Sequence, residues 1–416
     1  MKQLGKYSLG VGDRFGHQAK AQLKAIMEMK KHGIDITPVW NKSNREHDII
    51  GTHPDNVRVE ADAATKALNW TNEYFVDADH INLGTVERFI PSSDFFTIDV
   101  AAYIGKSADA ADIDSFLKKC EKYFGELTIP GISHKFAINE KLVKGVADHY
   151  LFAAQKAKEI YQIIEDKKGK GNFITEVSMD EVPNPQTPIE LFFILFMLSE
   201  EEVPVQTIAP RFSGRFNKGV NYVGDPKQFA KEFEEDILVL DFAVKEFGIP
   251  AEIKLSVHSG SDKFSIYPHI GNIVKKHNKG IHVKTAGTTW LEEVIGLALS
   301  DGEALEFVKA VYSKALDKID ELCAPYADVI DIDASKLPSK EVVNGWSAKQ
   351  FGDALTHIPD NKDYNPNLRQ LVHVGYKLAA MQIDKYNELL EKNEDTIASC
   401  VFENIYNRHL CRLFNI

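Results

Sequence analysis

Short apolar runs recur along the chain, and each ends in polar residues before a stretch with helical spacing. Such runs predict β-strands, because apolar and polar side chains alternate along a half-buried strand. The predicted strands are Tyr7–Val11, Ile34–Trp40, Tyr74–Ile81, Phe95–Val100, Phe173–Met179, Val203–Phe212, a run ending at His258 and a run containing His282.

Helical patterns separate these runs. They cover about His17–Lys31, Ala61–Tyr74, Glu140–Glu165, Ile189–Leu198 and Pro226–Phe247. Strands that alternate with helices are typical of parallel β/α units, and eight such units predict a (β/α)8 TIM-type barrel. A doubly wound open sheet is the alternative, and it too would bind ligands at the carboxyl ends of its strands.

The alternation pauses twice. Residues 101–170 are charged and mostly helical, which predicts a helical insertion after strand 4. After Thr288 the pattern is helical apart from the short apolar run Asp328–Ile332. We therefore expect a catalytic barrel over residues 1–325, including the insertion at about 101–170, and a C-terminal helical extension over residues 326–416 packed on the barrel.

Composition excludes several classes of protein. The net charge is −12 and no basic stripe is visible, so nucleic acid is not an expected partner. The four cysteines are scattered without a CxxC pair, which suits a reducing cytoplasm. The amino terminus has no apolar signal core, and the longest apolar run is about half as long as a bilayer span. We expect a cytoplasmic protein without a membrane partner. A homo-oligomer is possible on this sequence.

Polar residues gather where the predicted strands end. In a barrel the carboxyl ends of the strands face one mouth, so these side chains should converge there. They are Asp13, Arg14, Asp79, His80, Glu176, Asp180, Arg211, His258, Asp262, His282 and Lys284.

Three of these residues are histidines on three predicted strands. Together with a carboxylate, His80, His258 and His282 could bind a divalent cation at about 2.0–2.2 Å. Imidazole and carboxylate ligands suit Zn, Mn, Co, Ni or Fe without distinguishing them. For each histidine taken alone, the alternative is a hydrogen-bonded core residue.

Two acids within strand sequences, Asp79 and Glu176, are candidates for proton transfer next to such a cation. Acids are seldom buried without a partner. The structural alternatives are that Asp79 orients a neighbouring histidine and that Glu176 pairs with a lysine.

Several cations near the strand ends could bind an anionic small-molecule substrate. Lys218 in FNKGVNY could equally be a solvated surface residue, and Lys284 could form a Schiff base, although the neighbouring histidines favour a metal. The predicted substrate-binding set is Asp13, Arg14, Gln206, Arg211, Lys218, Asp262, Lys263 and Lys284.

The run GVGDRFG at residues 10–16 follows a strand and precedes a helix, but it is a poor dinucleotide loop. Its last glycine comes one residue too late for GxGxxG, and the next strand ends in Trp40-Asn41 without an acid. It fits better as a tight turn that directs Asp13 and Arg14 to the mouth.

The stretches GVGDRFG, VDADHI, FFTID, EVSMDE, HSGSDKFSIYP, HVKTAGT and RQLVHVGY, in this order from about residue 8 to about residue 376, resemble the tagaturonate epimerases, bacterial enzymes of hexuronate breakdown. The resemblance implies metal-dependent interconversion of tagaturonate and fructuronate. It implies that Asp79 is the proton acceptor, Glu176 the proton donor, and His80 and His258 metal ligands. His282 as third ligand is our inference from strand position.

The chain departs from the family in one respect, since only about ten residues precede the GDR motif, where members carry a substantial segment. A tagatose/fructose epimerase acting on neutral ketohexoses is therefore an alternative. Further alternatives are a metal-dependent aldolase or ketose isomerase on the same barrel, and a non-catalytic sugar-binding protein.

The carbon to be inverted lies one position beyond the carbon next to the ketone, so the ketone does not acidify its C–H bond directly. Retro-aldol cleavage followed by re-addition on the other face is one route. Direct proton transfer and transient oxidation by bound NAD are the others.

Overall fold

The computed structural model describes residues 2–259, 262–285, 288–358 and 360–416. Gly260, Ser261, Ala286 and Gly287, which belong to two motifs quoted above, lie outside these ranges. Eight parallel strands close into a barrel, which confirms the predicted (β/α)8 fold against the open sheet. The strands in chain order are β1 (Tyr7–Gly12), β2 (Ile36–Ser43), β3 (Phe75–Ile81), β4 (Phe95–Asp99), β5 (Gly125–Leu127), β6 (Phe136–Ile138), β7 (Ile174–Ser178), β8 (Thr207–Ala209), β9 (Lys254–His258) and β10 (Ile281–Lys284).

The barrel contains every strand except β5 and β6, and it closes where β10 pairs with β1. The α-helices are α1 (Ala19–Met29), α2 (Asn44–Ile50), α3 (Pro54–Ala67), α4 (Val86–Phe89), α5 (Ala110–Cys120), α6 (Glu140–Lys168), α7 (Pro188–Glu200), α8 (Pro226–Phe247), α9 (Tyr267–Lys276), α10 (Thr288–Leu299), α11 (Gly302–Asp317), α12 (Ile319–Cys323), α13 (Lys340–Asn344), α14 (Ala348–Leu355), α15 (Pro366–Val374), α16 (Tyr376–Ala380), α17 (Ile383–Lys392), α18 (Glu394–Glu403) and α19 (Cys411–Phe414). A π-helical turn covers Asn404–Leu410, and 3-10 turns cover Lys30–His32, Ala101–Tyr103, Glu121–Tyr123, Ala324–Val329 and Ala334–Lys336.

The apolar run at Ile189–Leu198 forms the middle of α7, as expected. Thr187 caps this helix in a capping box with Glu190, and Pro188 occupies the first turn, where its missing N–H is not needed. All of its apolar side chains are buried in the protein core. Within the described chain, no helix combines the length and apolarity that crossing a membrane requires.

Two predicted elements differ in position or length. The helix expected at residues 61–74 is α3. It begins earlier, because Pro54 is favourable in the first turn of a helix. It ends before Asn69, whose positive φ is not helical. The strand expected at residues 203–212 shrinks to β8, because Pro204 and Pro210 flank it and donate no ladder hydrogen bond.

The helical insertion after β4 contains α5 and α6, as predicted, together with a small antiparallel pair, β5 and β6, which was not predicted. Strands of three residues are too short to show a period of two. The apolar run at residues 328–332 forms no strand, and its first two residues belong to the 3-10 turn Ala324–Val329.

Side chains that point into the barrel form layers, because every second residue of a strand faces inward. The amino-terminal layer is a compact apolar cluster of Leu4, Val39, Phe75, Phe95 and Ile174. Two residues further along the same strands, the inward positions are Asn41, Asp77, Thr97 and Glu176. The barrel is therefore apolar at its amino end and polar towards its carboxyl end.

Helices of the C-terminal region pack on the barrel helices. α18 contacts α1 and α10, and α15 contacts α10 and α11. One continuous hydrophobic core includes Trp290 from α10 together with Leu371 and Ile397 from the C-terminal helices. The proposed division at residue 326 remains a prediction.

Candidate active site

Lys284, the last residue of β10, lies at the centre of the polar end of the barrel. Its Nζ is 2.7 Å from Asp77 Oδ2, 2.7 Å from Asp79 Oδ1 and 3.4 Å from Glu176 Oε1. It also donates to Thr97 Oγ1 at 2.7 Å. Burial disfavours the charged amine, but the three carboxylates hold the pKa of Lys284 well above its usual range. The lysine is therefore a fixed positive charge between acids from two strands.

Glu176 on β7 is fully buried, and both carboxylate oxygens are engaged. Oε1 lies 2.8 Å from His258 Nε2 and accepts from Thr97 Oγ1 at 3.1 Å, while Oε2 accepts from Thr207 Oγ1 at 2.7 Å. Burial opposes ionisation, but Lys284 and His258 hold the pKa of this carboxyl well below its ordinary value. Lysine pairing, predicted as the structural alternative, is thus one of the contacts of this acid.

The two acids of β3 have different environments. Burial, together with the neighbouring Asp79 and Glu176, raises the pKa of Asp77 to about 6, although Lys284 opposes this. Asp79 is also buried, but Lys284 and His80 hold its pKa well below the ordinary value. Environments that separate the pKa values of neighbouring acids are typical of acid–base sites.

His80 and His258 each contact a candidate catalytic acid through one ring nitrogen. His80 Nδ1 lies 2.9 Å from Asp79 Oδ1, and His258 Nε2 contacts Glu176. Their rings are 5.0 Å apart. A carboxylate behind an imidazole fixes the ring so that its other nitrogen faces a metal.

The other ring nitrogens of the two histidines point towards Asp180, just beyond β7. His258 Nδ1 lies 3.2 Å from Asp180 Oδ2, and His80 Nε2 lies 3.6 Å from Asp180 Oδ1. Both nitrogens are buried without an aligned hydrogen bond in the described chain. Potential ligand atoms of the three residues all lie within 4.8 Å of one another, and no other group among the described residues meets that criterion.

These residues fit a divalent cation. Three protein ligands leave a coordination position for a substrate oxygen, as in catalytic sites. The charge also fits, since three carboxylates contact one lysine and a fourth contacts the two histidines. Against the effect of burial, these acids raise the pKa values of both histidines, so a bound cation would replace the imidazole protons. The carboxylates are Asp77, Asp79, Glu176 and Asp180, and the lysine is Lys284.

The backbone at His80 is unusual. Its φ is +53°, and the pairing of β3 with β4 shifts register between Ala78 and Ile81. A bulge of this kind redirects a side chain at the end of a strand. Histidine is among the residues that tolerate the left-handed region. The bulge brings Asp79 and His80, which are adjacent in sequence, into one site.

The structure does not bring His282, the predicted third ligand, to this pair of histidines. Its Nδ1 lies 2.9 Å from Ser8 Oγ, and its ring is 5.2 Å from that of Phe95 in the apolar layer. His282 precedes Lys284 by two residues on the same inward face, so it lies one layer deeper in the barrel. Asp180 occupies the position expected for His282. Burial lowers the pKa of His282 to about 3, so it is neutral.

Two of the predicted substrate-binding cations are engaged by the protein. Arg14 Nε lies 2.8 Å from Glu46 Oε1, and its guanidinium stacks 4.0 Å from the ring centre of Tyr376. Lys263 is fully buried and donates to the carbonyl oxygens of Asn217 and Val220, both at 2.9 Å. Both cations hold loops at the mouth together.

Two other cations in the long loop after β8 remain available. The side chains of Arg211 and Lys218 are half-buried, and neither makes a hydrogen bond or ion pair to the described parts of the chain. The backbone N–H of Arg211 donates to Gln186, and that of Lys218 donates to Val329. The loop is therefore anchored through its backbone, while the two charged groups stay free.

The remaining three predicted binding residues have structural contacts. Asp13 accepts hydrogen bonds from three backbone N–H groups of the turn after β1. Gln206 precedes β8 at the amino end of the barrel, away from the mouth, and bonds Thr175 and Lys2. Asp262 is fully buried and lies 2.6 Å from Arg369 Nη2.

Sequence reasoning did not assign roles to Asp77, Thr97 and Thr207. For Asp77 a signal existed, since it lies two residues before Asp79 in VDADHI and must share its inward face. Asp180 was recognised as a residue of the mouth but not as a ligand.

A parallel (β/α)8 barrel with acids, imidazoles and a lysine at its carboxyl end defines a barrel enzyme whose chemistry takes place at that mouth. A family model described as tagaturonate epimerase matches residues 1–413. The chain belongs to the tagaturonate epimerase family, and this places it among the isomerases.

Individual relatives agree with this assignment. The tagaturonate/fructuronate epimerase of Thermotoga maritima is 27% identical over 418 residues, covering 97% of this chain and 80% of that protein. A glycerol complex of the fructuronate-tagaturonate epimerase of Cohnella laeviribosi superimposes with a TM-score of 0.81 at 23% identity, covering 98% of this chain and 81% of that one. A second glycerol complex of that enzyme gives a TM-score of 0.80 at 24% identity, covering 99% and 82%. These two likenesses support the fold.

Proposed function

We propose that this chain interconverts tagaturonate and fructuronate by acid–base chemistry assisted by a divalent metal. Family membership over almost the whole chain and the name of the Thermotoga maritima relative support the reaction. The observation that carries the mechanism is the shared ammonium of Lys284, which contacts both Asp79 and Glu176, while each acid also contacts a histidine.

His80, His258 and Asp180 would hold the metal, since they present converging ligand atoms. A bound divalent cation would polarise a sugar oxygen and stabilise developing negative charge. The metal-facing nitrogens stay fixed because Asp79 and Glu176 hold the opposite sides of the two rings.

Asp79 is the proposed proton acceptor. Its carboxylate is kept ionised by Lys284 and His80, so it can remove the hydroxyl proton on the carbon to be inverted. The electron pair of that O–H bond then forms a carbonyl as the bond to the carbon next to the ketone breaks. The products are an aldehyde and an enediolate held in the same site.

Glu176 is the proposed proton donor. Asp79 on β3 and Glu176 on β7 are separated by β4, so the two acids approach a bound sugar from different directions. Glu176 is ionised before turnover, so the proton taken by Asp79 would pass to it through the ammonium of Lys284, which contacts both acids. After the aldehyde turns over, the enediolate adds to its opposite face, and Glu176 gives this proton to the new alkoxide. Lys284, which contacts both carboxylates, keeps the two groups in position throughout.

The proposal is tested by assaying metal-stripped and metal-restored protein on tagaturonate, fructuronate, tagatose and fructose. We expect turnover of the two uronates to disappear on stripping and to return with a divalent cation. Full activity after complete stripping would refute the metal requirement. Turnover of the neutral sugars alone would favour the ketohexose epimerase, and release of free aldose or triose would favour an aldolase.

The route is tested by turnover in heavy water. Re-addition after C–C cleavage leaves the hydrogen on the inverted carbon in place, so we expect no deuterium there. Deuterium at that carbon would instead show direct proton transfer. Nicotinamide absorbance in the purified protein would point to transient oxidation.

A further inference from the structure

We propose that Lys218 and His373 form the subsite that binds the carboxylate of the sugar acid, and so distinguish a uronate from a neutral ketohexose. This inference rests on the function proposed above. It starts from the cations near the mouth, most of which are already neutralised or hydrogen-bonded within the protein.

Lys218 differs from its cationic neighbours. Arg14 is paired with Glu46, Lys284 with three acids and Arg369 with Asp262, and Lys263 donates to two carbonyl groups. The ammonium of Lys218 makes no contact of this kind within the parts of the chain that the structure describes. A half-buried lysine without an internal anion is suited to an anion that arrives from outside.

His373 on α15 provides the second polar group. It is 1% exposed, and neither ring nitrogen has a hydrogen-bond partner in the described chain. Buried polar atoms of this kind need a ligand or an ordered water. Burial, followed by the charges of Arg14 and Lys218, holds the pKa of His373 well below its usual range. The ring is therefore neutral and offers one N–H donor.

Gly219, the residue after Lys218, packs against His373. A Cβ added to this glycine would lie 3.7 Å from His373 Cβ and 3.4 Å from Leu291 Cδ1. Arg369 Nε donates to the Gly219 carbonyl at 2.6 Å, which ties the loop to α15. Gly219 has a φ of +75°, so the loop turns here in a conformation that suits glycine. Lys218 is thereby held next to α15.

The position in the barrel is also appropriate. The loop that carries Lys218 follows β8, and β8 lies between β7 with Glu176 and β9 with His258. The loop thus begins at the mouth between the strands that carry one proposed catalytic acid and one proposed metal ligand. A sugar bound there could reach the loop with its far end.

The local charge favours an anion even though the whole protein carries a net charge of −12. The charges that most lower the pKa of His373 are those of Arg14, Lys218, Arg369 and Lys263. A carboxylate would accept from the ammonium of Lys218 and from a ring N–H of His373. A neutral sugar would leave both donors unpartnered, and this is the kind of difference on which strong discrimination is built.

The test is steady-state kinetics of the metal-loaded enzyme and of Lys218→Met, Lys218→Arg and Arg211→Met. We expect Lys218→Met to raise KM for tagaturonate and fructuronate by about 30- to 100-fold with kcat changed less than about threefold. Lys218→Arg should restore most of the affinity. The control is Lys227→Met, at an exposed lysine in the first turn of α8, which should change KM by less than about threefold. Arg211→Met removes the other free cation of the same loop and tests it as a rival subsite.

A second variant, His373→Gln, should also raise KM for the uronates, with folding checked by circular dichroism. If the wild-type enzyme converts uronates and both Lys218→Met and His373→Gln keep its KM, the subsite is refuted while the function stands. If Arg211→Met raises KM and Lys218→Met does not, the subsite lies elsewhere on the loop. A wild-type enzyme without uronate turnover would overturn the proposed function and this subsite with it.

Discussion

Two buried ionic clusters lie close together near the mouth, and they differ in charge balance. The first surrounds Lys284 in the barrel. The second surrounds Asp262 beneath the C-terminal helices, where Asp262 lies 2.6 Å from Arg369, Glu292 lies 2.6 Å from Arg408, and Arg369 lies 3.6 Å from Glu292. Two buried carboxylates and two guanidinium groups neutralise each other there, and Arg408 also contacts the partly exposed Glu403 at 3.1 Å.

The cluster around Lys284 has no such balance. It contains four carboxylates against Lys284 and two histidines whose pKa values are raised, so one negative charge is left over. Ligand atoms of His80, His258 and Asp180 also converge there within 4.8 Å of one another. A buried cluster whose charges cancel can be satisfied by the protein alone and serves to join two segments. A cluster that keeps a net charge and presents converging ligand atoms needs a bound ion or ligand, and such clusters are typical of functional sites.

The largest effect is expected from removing a histidine of the unbalanced cluster. His258→Asn should lower kcat/KM by about 10⁴-fold, because it removes a proposed metal ligand and the ring contact to Glu176. Metal content is measured on the same sample by elemental analysis, and it should fall in parallel.

The matched control is His357→Asn in the balanced cluster. His357 Nδ1 lies 3.2 Å from Asp262 Oδ2, and its side chain is as buried as that of His258, at 8% against 7% exposed. We expect its activity to stay within about threefold of wild type. Equal losses in the two variants would show that charge balance does not separate the two clusters.

Removing a cation of the balanced cluster should affect stability most. Arg369→Met leaves Asp262 and Glu292 with one guanidinium fewer and should lower the free energy of unfolding by about 3–5 kcal/mol in urea titrations. Arg412→Met is the control, since Arg412 stacks 4.9 Å from the ring centre of Phe264, and its loss should cost about 1 kcal/mol or less. A loss below about 1 kcal/mol for Arg369→Met would contradict a structural role.

A third buried cation allows a pH test without an acid partner. Lys254, at the amino end of the barrel, donates to the carbonyl oxygens of Leu4, Gly5 and Lys6. Burial lowers its pKa to about 7. Between pH 7 and about 10.4 the folded lysine is neutral while the unfolded one is protonated. The unfolded state then binds more protons, so stability should rise with pH across this window.

The measurement is the free energy of unfolding in urea at pH 7, 8.5 and 10 for wild type and Lys254→Met. Relative to the variant, wild type should gain about 3 kcal/mol over this range. Parallel pH curves for the two proteins would show that the carbonyl oxygens keep Lys254 charged.

The smallest expected effect concerns His282. Ser8→Ala removes the group 2.9 Å from His282 Nδ1 and should destabilise the protein by about 1 kcal/mol while leaving metal affinity unchanged. A tenfold weaker metal affinity in this variant, measured by competition with a chelator, would return His282 to the metal centre.

Much of the barrel could be predicted because periodicity survives in single strands. The alternation in Phe75–Ile81 predicted the strand and singled out Asp79, although Asp77 on the same face received no role. The same period does not show how deep in the barrel a residue lies, since residues two apart share a face but belong to different layers. His282 was assigned to the metal because its layer could not be predicted.

Contacts between distant segments could not be predicted from the sequence for a related reason. Asp180 lies past the end of β7, where no period applies, and its position depends on how the loop turns. His373 lies in a C-terminal helix whose pattern shows only a buried face. Nothing in the sequence links that face to the loop of Lys218, because the link is made by Arg369 through a backbone carbonyl.

The apolar layer at the amino end of the barrel has a consequence for kinetics. Phe75, Phe95 and Ile174 pack together in the lumen there, so the described part of the barrel is closed at that end. Any sugar therefore enters and departs through the same opening. The two epimers of a reversible reaction must compete for this one entrance to the active site. Each should therefore act as a competitive inhibitor of the conversion of the other.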